Sequence, residues 1–177
     1  METNRTIEFT RIRDVKAPSR ANSHDAGTDF FVPNYTPEFL EDLKVKNITN
    51  NLHYNVENDE LHIIIPAGEQ ILIPSGIKVN ILDKNTYLDA NNKSGVATKY
   101  HLLVGASVVD ADYQGEVHLN VHNTGNQSVT IFSGQKLVQF IHKYYINTDW
   151  QEISNEQYNE IQVSDRGAGG FGSSGIN

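Results

Sequence analysis

The sequence predicts an all-β protein, a sandwich or barrel interrupted by one short helical insertion. Three observations carry that expectation. Short β-branched and apolar runs recur along the whole chain. Clusters of Gly, Pro, Asn or Asp separate most of them. Persuasive helix signals gather in a single place.

Taken in order, Ile7–Arg11 is the first strand-like run. The helix is expected over Pro37–Lys46, with Thr36 as N-cap, Pro37 at the first helical position, acids early and lysines late. Asn47–Asp59 is Asn-rich and polar and reads as an exposed insertion. Leu61–Ile65, Gln70–Ile73 and Ile77–Ile81 follow, divided at Pro66–Gly68 and Pro74–Gly76. Leu102–Val104, Glu116–His122, Val129–Ile131 and Leu137–Tyr145 complete the set. In Glu116–His122, Val117, Leu119 and Val121 alternate with polar residues, so one face is apolar. His118 and His122 share the other face, but on a strand they stand about 13 Å apart, too far for one metal ion.

At 177 residues the chain is one domain with a real core. Its expected division is a β-domain over 1–164, with 37–59 as the inserted segment, and a glycine-rich arm over 165–177. The net charge of −8 argues against nonspecific binding to nucleic acid or a membrane surface, so any phosphate site must be local. With no cysteine, disulfides, thiolate catalysis and Cys-based zinc sites are excluded. METNRTIEF has no apolar leader core, and no run approaches the ~18 apolar residues of a membrane span. A soluble cytoplasmic protein, or one of the host cytoplasm if viral, is expected.

Chemistry concentrates at five places. DRGAGGFGSSG at 165–175 cannot build a core, yet it suits a phosphorylated ligand. Arg166 can fork onto phosphate, Ser173 and Ser174 can donate, Phe171 can stack on a base, and glycines such as Gly172 let backbone N–H groups approach. VGASVVDADYQGEV at 104–117 crowds Asp110, Asp112 and Tyr113 at a hairpin tip, which is either turn chemistry or a carboxylate beside a pocket. NNKSGVATK at 91–99 offers Lys93, Ser94 and the N–H groups around Gly95 as a phosphate nest or an ordinary turn. GQKLVQF at 134–140 carries Lys136 and Gln139, and DAGTDFF at 25–31 carries Asp29.

In this order the segments resemble the five motifs of the trimeric dUTP pyrophosphatase (dUTPase) family: AGTDFF, KSG, VVDADYQGEV, GQKLVQF and RGAGGFGSSG. The resemblance implies a jelly-roll-like β-fold and a homotrimer whose three active sites each draw on all three subunits. It also implies hydrolysis of dUTP to dUMP and pyrophosphate with Mg²⁺. By resemblance, Asp110 would activate the attacking water, and Tyr113 would pack under the deoxyribose and exclude a ribose 2′-hydroxyl. The hairpin around Ser107 would read uracil, while Lys93, Ser94, Gly95 and Gln139 would line the α- and β-phosphate site. Arg166, Ser173 and Ser174 would hold the γ-phosphate, with Phe171 and Gly172 closing over the base. Asp29 would sit near the metal only through water.

Three residues depart from the family pattern. Lys93 and Lys136 stand where Arg is usual, each replacing a planar fork by a point charge. Ser107 stands where Gly is usual and puts a side chain into the base-reading hairpin. Two rival readings are a related dCTP deaminase, with Glu116 as proton shuttle, and a non-enzymatic binder whose 37–59 insertion docks a protein partner.

Overall fold

The computed structural model describes residues 6–48, 53–57, 60–161, 164, 167 and 169. The chain divides into two compact units, Met1–Ile146 and Asn147–Asn177.

In the first unit, β1 (Ile7–Arg11), β2 (Thr28–Phe31), α1 (Pro37–Lys46), β3 (His53–Glu57), β4 (Glu60–Ile65), β5 (Gln70–Ile81) and β6 (Thr86–Asn92) come first. They are followed by α2 (Ser94–Tyr100), β7 (Leu102–Val104), β8 (Val108–Val109), β9 (Glu116–Asn123), β10 (Val129–Ile131) and β11 (Lys136–Tyr144). The strands make three sheets, ordered β1-β5-β9-β7, β2-β11-β6-β8 and β10-β4-β3. All pairings among the described residues are antiparallel. The all-β expectation holds, and α2 adds a second helix to the first unit, where a phosphate nest or an ordinary turn was expected.

Alternation builds the core. On β9, Val117, Leu119, Val121 and Asn123 are buried while Glu116, His118, Asn120 and His122 lie on the other face. They pack with Ile71, Ile73, Ile63 and Ile65, each fully buried, and each such side chain contributes about 1.5–3 kcal/mol. Phe30 and Phe140 close the second sheet with ring centroids 4.5 Å apart.

β5 runs straight through Pro74–Gly76, where a turn was expected. The pairing jumps from Pro74↔His118 to Lys78↔Glu116, which is a bulge in one long strand. Gly76 sits in it at φ 75°, and a Cβ there would come within 2.9 Å of Arg13 Cβ and Val15 Cγ1. Glycine is therefore required twice over.

Within the stretch expected as an exposed insertion over 47–59, Ile48 is exposed but Asn47 is buried and His53–Glu57 is a strand. Thr36 Oγ1 accepts from Phe39 N at 3.2 Å, and α1 buries Phe39 and Leu43. At its end, buried Asn47 donates to Leu43 O (2.7 Å) and Leu72 O (2.9 Å) and accepts from Leu72 N (2.8 Å). One amide side chain thus pins the helix to β5. Strand β3 then pairs with β4 from His53↔Ile64 to Glu57↔Glu60.

In the second unit, α3 (Asn155–Asn159) carries a capping box between Ser154 and Gln157. Among the described residues no helix is long and apolar enough to cross a membrane.

Candidate active site

Register decides which motif residues meet. Strand β11 lies between β2 and β6, with Gln139 opposite both Asp29 and Asn91. Lys93 is the N-cap of α2, immediately after β6. Asp29, Lys93, Lys136 and Gln139, from three separate motifs, therefore converge. The Asp29 carboxylate, 3% exposed, accepts from Lys93 Nζ on one oxygen and from Lys136 Nζ at 2.9 Å on the other. Burial pushes this carboxyl up, but the hydrogen bonds from Lys93 and Lys136 outweigh it and hold it below its ordinary value. Two ammonium groups and one carboxylate leave the cluster positive, as an anion site requires.

Gln139 donates to Asn92 O at 2.8 Å. Its side chain crosses Gly27 so closely that a Cβ there would fall 2.1 Å from Gln139 Oε1. Ser94 and Gly95 occupy the first turn of α2, whose N-cap supplies no side-chain hydrogen bond. Amides in the first turn of a helix have no partner within the helix.

The second group is the hairpin joining β8 to β9. Ser107 O accepts from Ala90 N at 2.6 Å, anchoring the hairpin to β6. Asp110 is exposed and its carbonyl accepts from Tyr113 N at 3.1 Å, closing the turn. Tyr113 donates its hydroxyl to Glu116 O at 3.0 Å. A cavity of about 180 Å³ opens here, lined by Ala106, Val108, Asp110, Tyr113, His118 and Phe140 among others. Burial pushes the His118 imidazole below its ordinary value, against the nearby Glu116 charge, and its Nε2 finds no hydrogen-bond partner among the described residues.

Sequence reasoning missed Arg13. Its guanidinium forks onto Glu116, Nε to Oε1 at 2.7 Å and Nη2 to Oε2 at 2.9 Å, and also reaches Asp42 on α1. No motif marks Arg13, and only tertiary structure joins it to a residue 103 positions away. Glu116 Oε1 also accepts from Gly76 N at 2.6 Å. With both oxygens engaged by donors, Glu116 is a structural acceptor and not a free proton shuttle, which removes the main support for the deaminase reading.

Among the described residues no group of three or more His, Asp or Glu comes together as a metal cage. Asp29 serves as counter-ion to two ammonium groups, so the carboxylate is not free to ligate a divalent cation directly. An ion that fits this chain is one carried on substrate phosphates and water. Arg166, Phe171, Gly172, Ser173 and Ser174 lie outside the described residues.

The sequence profile of the dUTPase family matches residues 54–175. The chain belongs to the dUTPase family. Four of the five dUTPase-like motifs fall inside that match, and AGTDFF at 26–31 precedes it. The chain is 38% identical over 113 residues to the deoxyuridine 5′-triphosphate nucleotidohydrolase of Candida albicans, covering 64% of this chain and 69% of that one. It is 29% identical over 151 residues to the enzyme of the same name from Shewanella pealeana, covering 84% and 90%. A mutant dUTPase of Staphylococcus bacteriophage 80alpha, solved with dUpNHpp, superposes with a TM-score of 0.71 at 19% identity, covering 98% of this chain and all of that one. The fold is accordingly the β jelly roll of dUTPases.

Proposed function

We propose that this chain hydrolyses dUTP to dUMP and pyrophosphate, with Asp110 taking the proton of the attacking water. The observation that carries this reading is the Asp110–Tyr113 hairpin. An exposed carboxylate and a phenol line one cavity there, inside the region matched by the family. The water oxygen bonds to the α-phosphorus, its proton passes to the Asp110 carboxylate, and the bond to the bridging oxygen breaks, releasing pyrophosphate. Tyr113 packs under the deoxyribose, and the Ser107 hairpin backbone faces the uracil edge.

Ser94, Gly95 and Gln139 hold α- and β-phosphate oxygens, while Lys93 and Lys136 supply positive charge from the Asp29 cluster. Phosphoryl transfer asks chiefly for positioning and charge neutralisation, which these groups provide. A Mg²⁺ ion carried on the substrate would add to the charge neutralisation that Lys93 and Lys136 supply. The arm over 165–177 contributes Arg166, Ser173 and Ser174 to the γ-phosphate, with Phe171 and Gly172 closing over the base.

A cavity of about 180 Å³ is smaller than the roughly 300–1,000 Å³ of complete small-molecule sites. The homotrimer that the five-motif resemblance implies would let neighbouring subunits complete each site. Pyrophosphate release measured across dUTP, dTTP, dCTP and UTP tests the substrate. Asp110→Asn should keep nucleotide binding and lose about 10²–10⁴ in turnover. Turnover near wild type in that variant would show that another group activates the water.

A further inference from the structure

The bulge in β5 leaves a gap in the β5–β9 ladder between Pro74 and Lys78. Inside it the Gly76 N–H is taken by a side chain, Glu116 Oε1, at 2.6 Å. That carboxylate is 11% exposed, and a buried charge needs a partner. Arg13 supplies it with two parallel bonds in the fork geometry that only a guanidinium offers. The same residue, Glu116, gives its backbone carbonyl to the Tyr113 hydroxyl. Tyr113 is itself 43% exposed, so this bond is a large part of what fixes its ring.

We propose that Arg13 is a positioning residue for sugar selection: by clamping Glu116 in the bulge it holds the carbonyl that fixes Tyr113, and so sets how well the site rejects a ribose 2′-hydroxyl. This inference rests on the proposed function and assigns Arg13 a part in it. Arg13 does not line the cavity at Asp110 and Tyr113 and acts on it through Glu116. Its guanidinium lies 5.9 Å from the centroid of the Phe39 ring on α1 and bonds Asp42 on the same helix. Asp42 is half exposed, and such a pair contributes little. The Arg13–Glu116 fork carries the effect.

The test compares kcat/KM for dUTP and for UTP in the full-length protein. Wild type should prefer dUTP. Arg13→Lys keeps a charge but loses the fork, and the dUTP/UTP ratio should fall about three- to tenfold, the factor one hydrogen bond is worth. Asp42→Asn should leave the ratio within about twofold. Tyr113→Phe removes the hydroxyl bond while leaving the fork intact, and should reproduce the fall seen in Arg13→Lys. It does so even if Arg13→Lys proves too unstable to assay. Equal losses on both substrates in Arg13→Lys, leaving the ratio unchanged, would reduce Arg13 to a structural residue and overturn the inference. An unchanged ratio in Tyr113→Phe would overturn it as well. A wild type that hydrolyses UTP as readily as dUTP overturns the function reading itself, and this inference with it.

Discussion

Replacing Asp29 by Asn probes the point where three motifs meet. The carboxamide keeps the shape but offers one acceptor in place of two charged ones, and leaves Lys93 and Lys136 facing each other without a counter-ion. A charge-assisted hydrogen bond contributes about 1.5–3 kcal/mol, and breaking a buried pair costs about 3–5 kcal/mol. Those figures need discounting, because the Lys93 and Lys136 side chains are 25% and 42% exposed and can turn back to water. A net loss of about 2 kcal/mol remains, which lowers Tm by about 4–8 °C in a domain of this size. The sign with pH follows from the depressed Asp29 carboxyl. Its stabilisation is complete above the ordinary carboxylate value of about 3.9 and is lost as pH falls through the lower folded value. Urea unfolding at neutral pH should separate wild type from Asp29→Asn, and in strong acid the two should converge. Equal stability at neutral pH, or a gap that persists in strong acid, would refute the ion-pair account.

Three further outcomes are expected. Asn47→Ala should cost about 2–4 kcal/mol by urea unfolding, since it strands Leu72 N and Leu72 O together, while Leu43 O keeps the backbone N–H of residue 47 at 3.1 Å. Gly27→Ala should leave the fold intact and raise KM, because the new Cβ would fall 2.1 Å from Gln139 Oε1 and push that side chain aside; an unchanged KM removes Gln139 from the phosphate site. Truncation after Asp165 should leave the thermal transition of the first unit in place while lowering kcat/KM by at least about 10²-fold, from a lost base stack and a lost charged phosphate bond. Full activity in the truncated protein would show the arm to be dispensable.

Much of the fold was legible because β-branched runs and turn clusters alternate openly. What escaped did so for local reasons. Strand β6 turns Thr86, Leu88 and Ala90 inward, too little apolar contrast to register as alternation. Strand β2 is four residues long and buries Asp29, a residue that reads as loop. Helix α2 has no capping side chain and no buried residue, so neither end signal nor apolar stripe announces it. Pro74 and Gly76 read as a turn because both serve turns, yet here they make a bulge. The motif residues were visible as types at spacings. That Asp29 answers two lysines 64 and 107 positions away depends on strand register, which no local pattern encodes.

The rivet at Asn47 changes how the 37–57 segment can be studied. A loop can be excised and its ends rejoined, but this stretch supplies Phe39 and Leu43 to the interior and a neighbouring strand to β4. Cutting it out would strip an inner wall and bare a sheet edge. Loss of any binding partner by such a deletion mutant would report collapse as readily as recognition. Surgery confined to the outward side chains of α1 and its end, Val45 and Ile48, leaves that wall standing. Those two positions are where an interaction screen of this segment should begin.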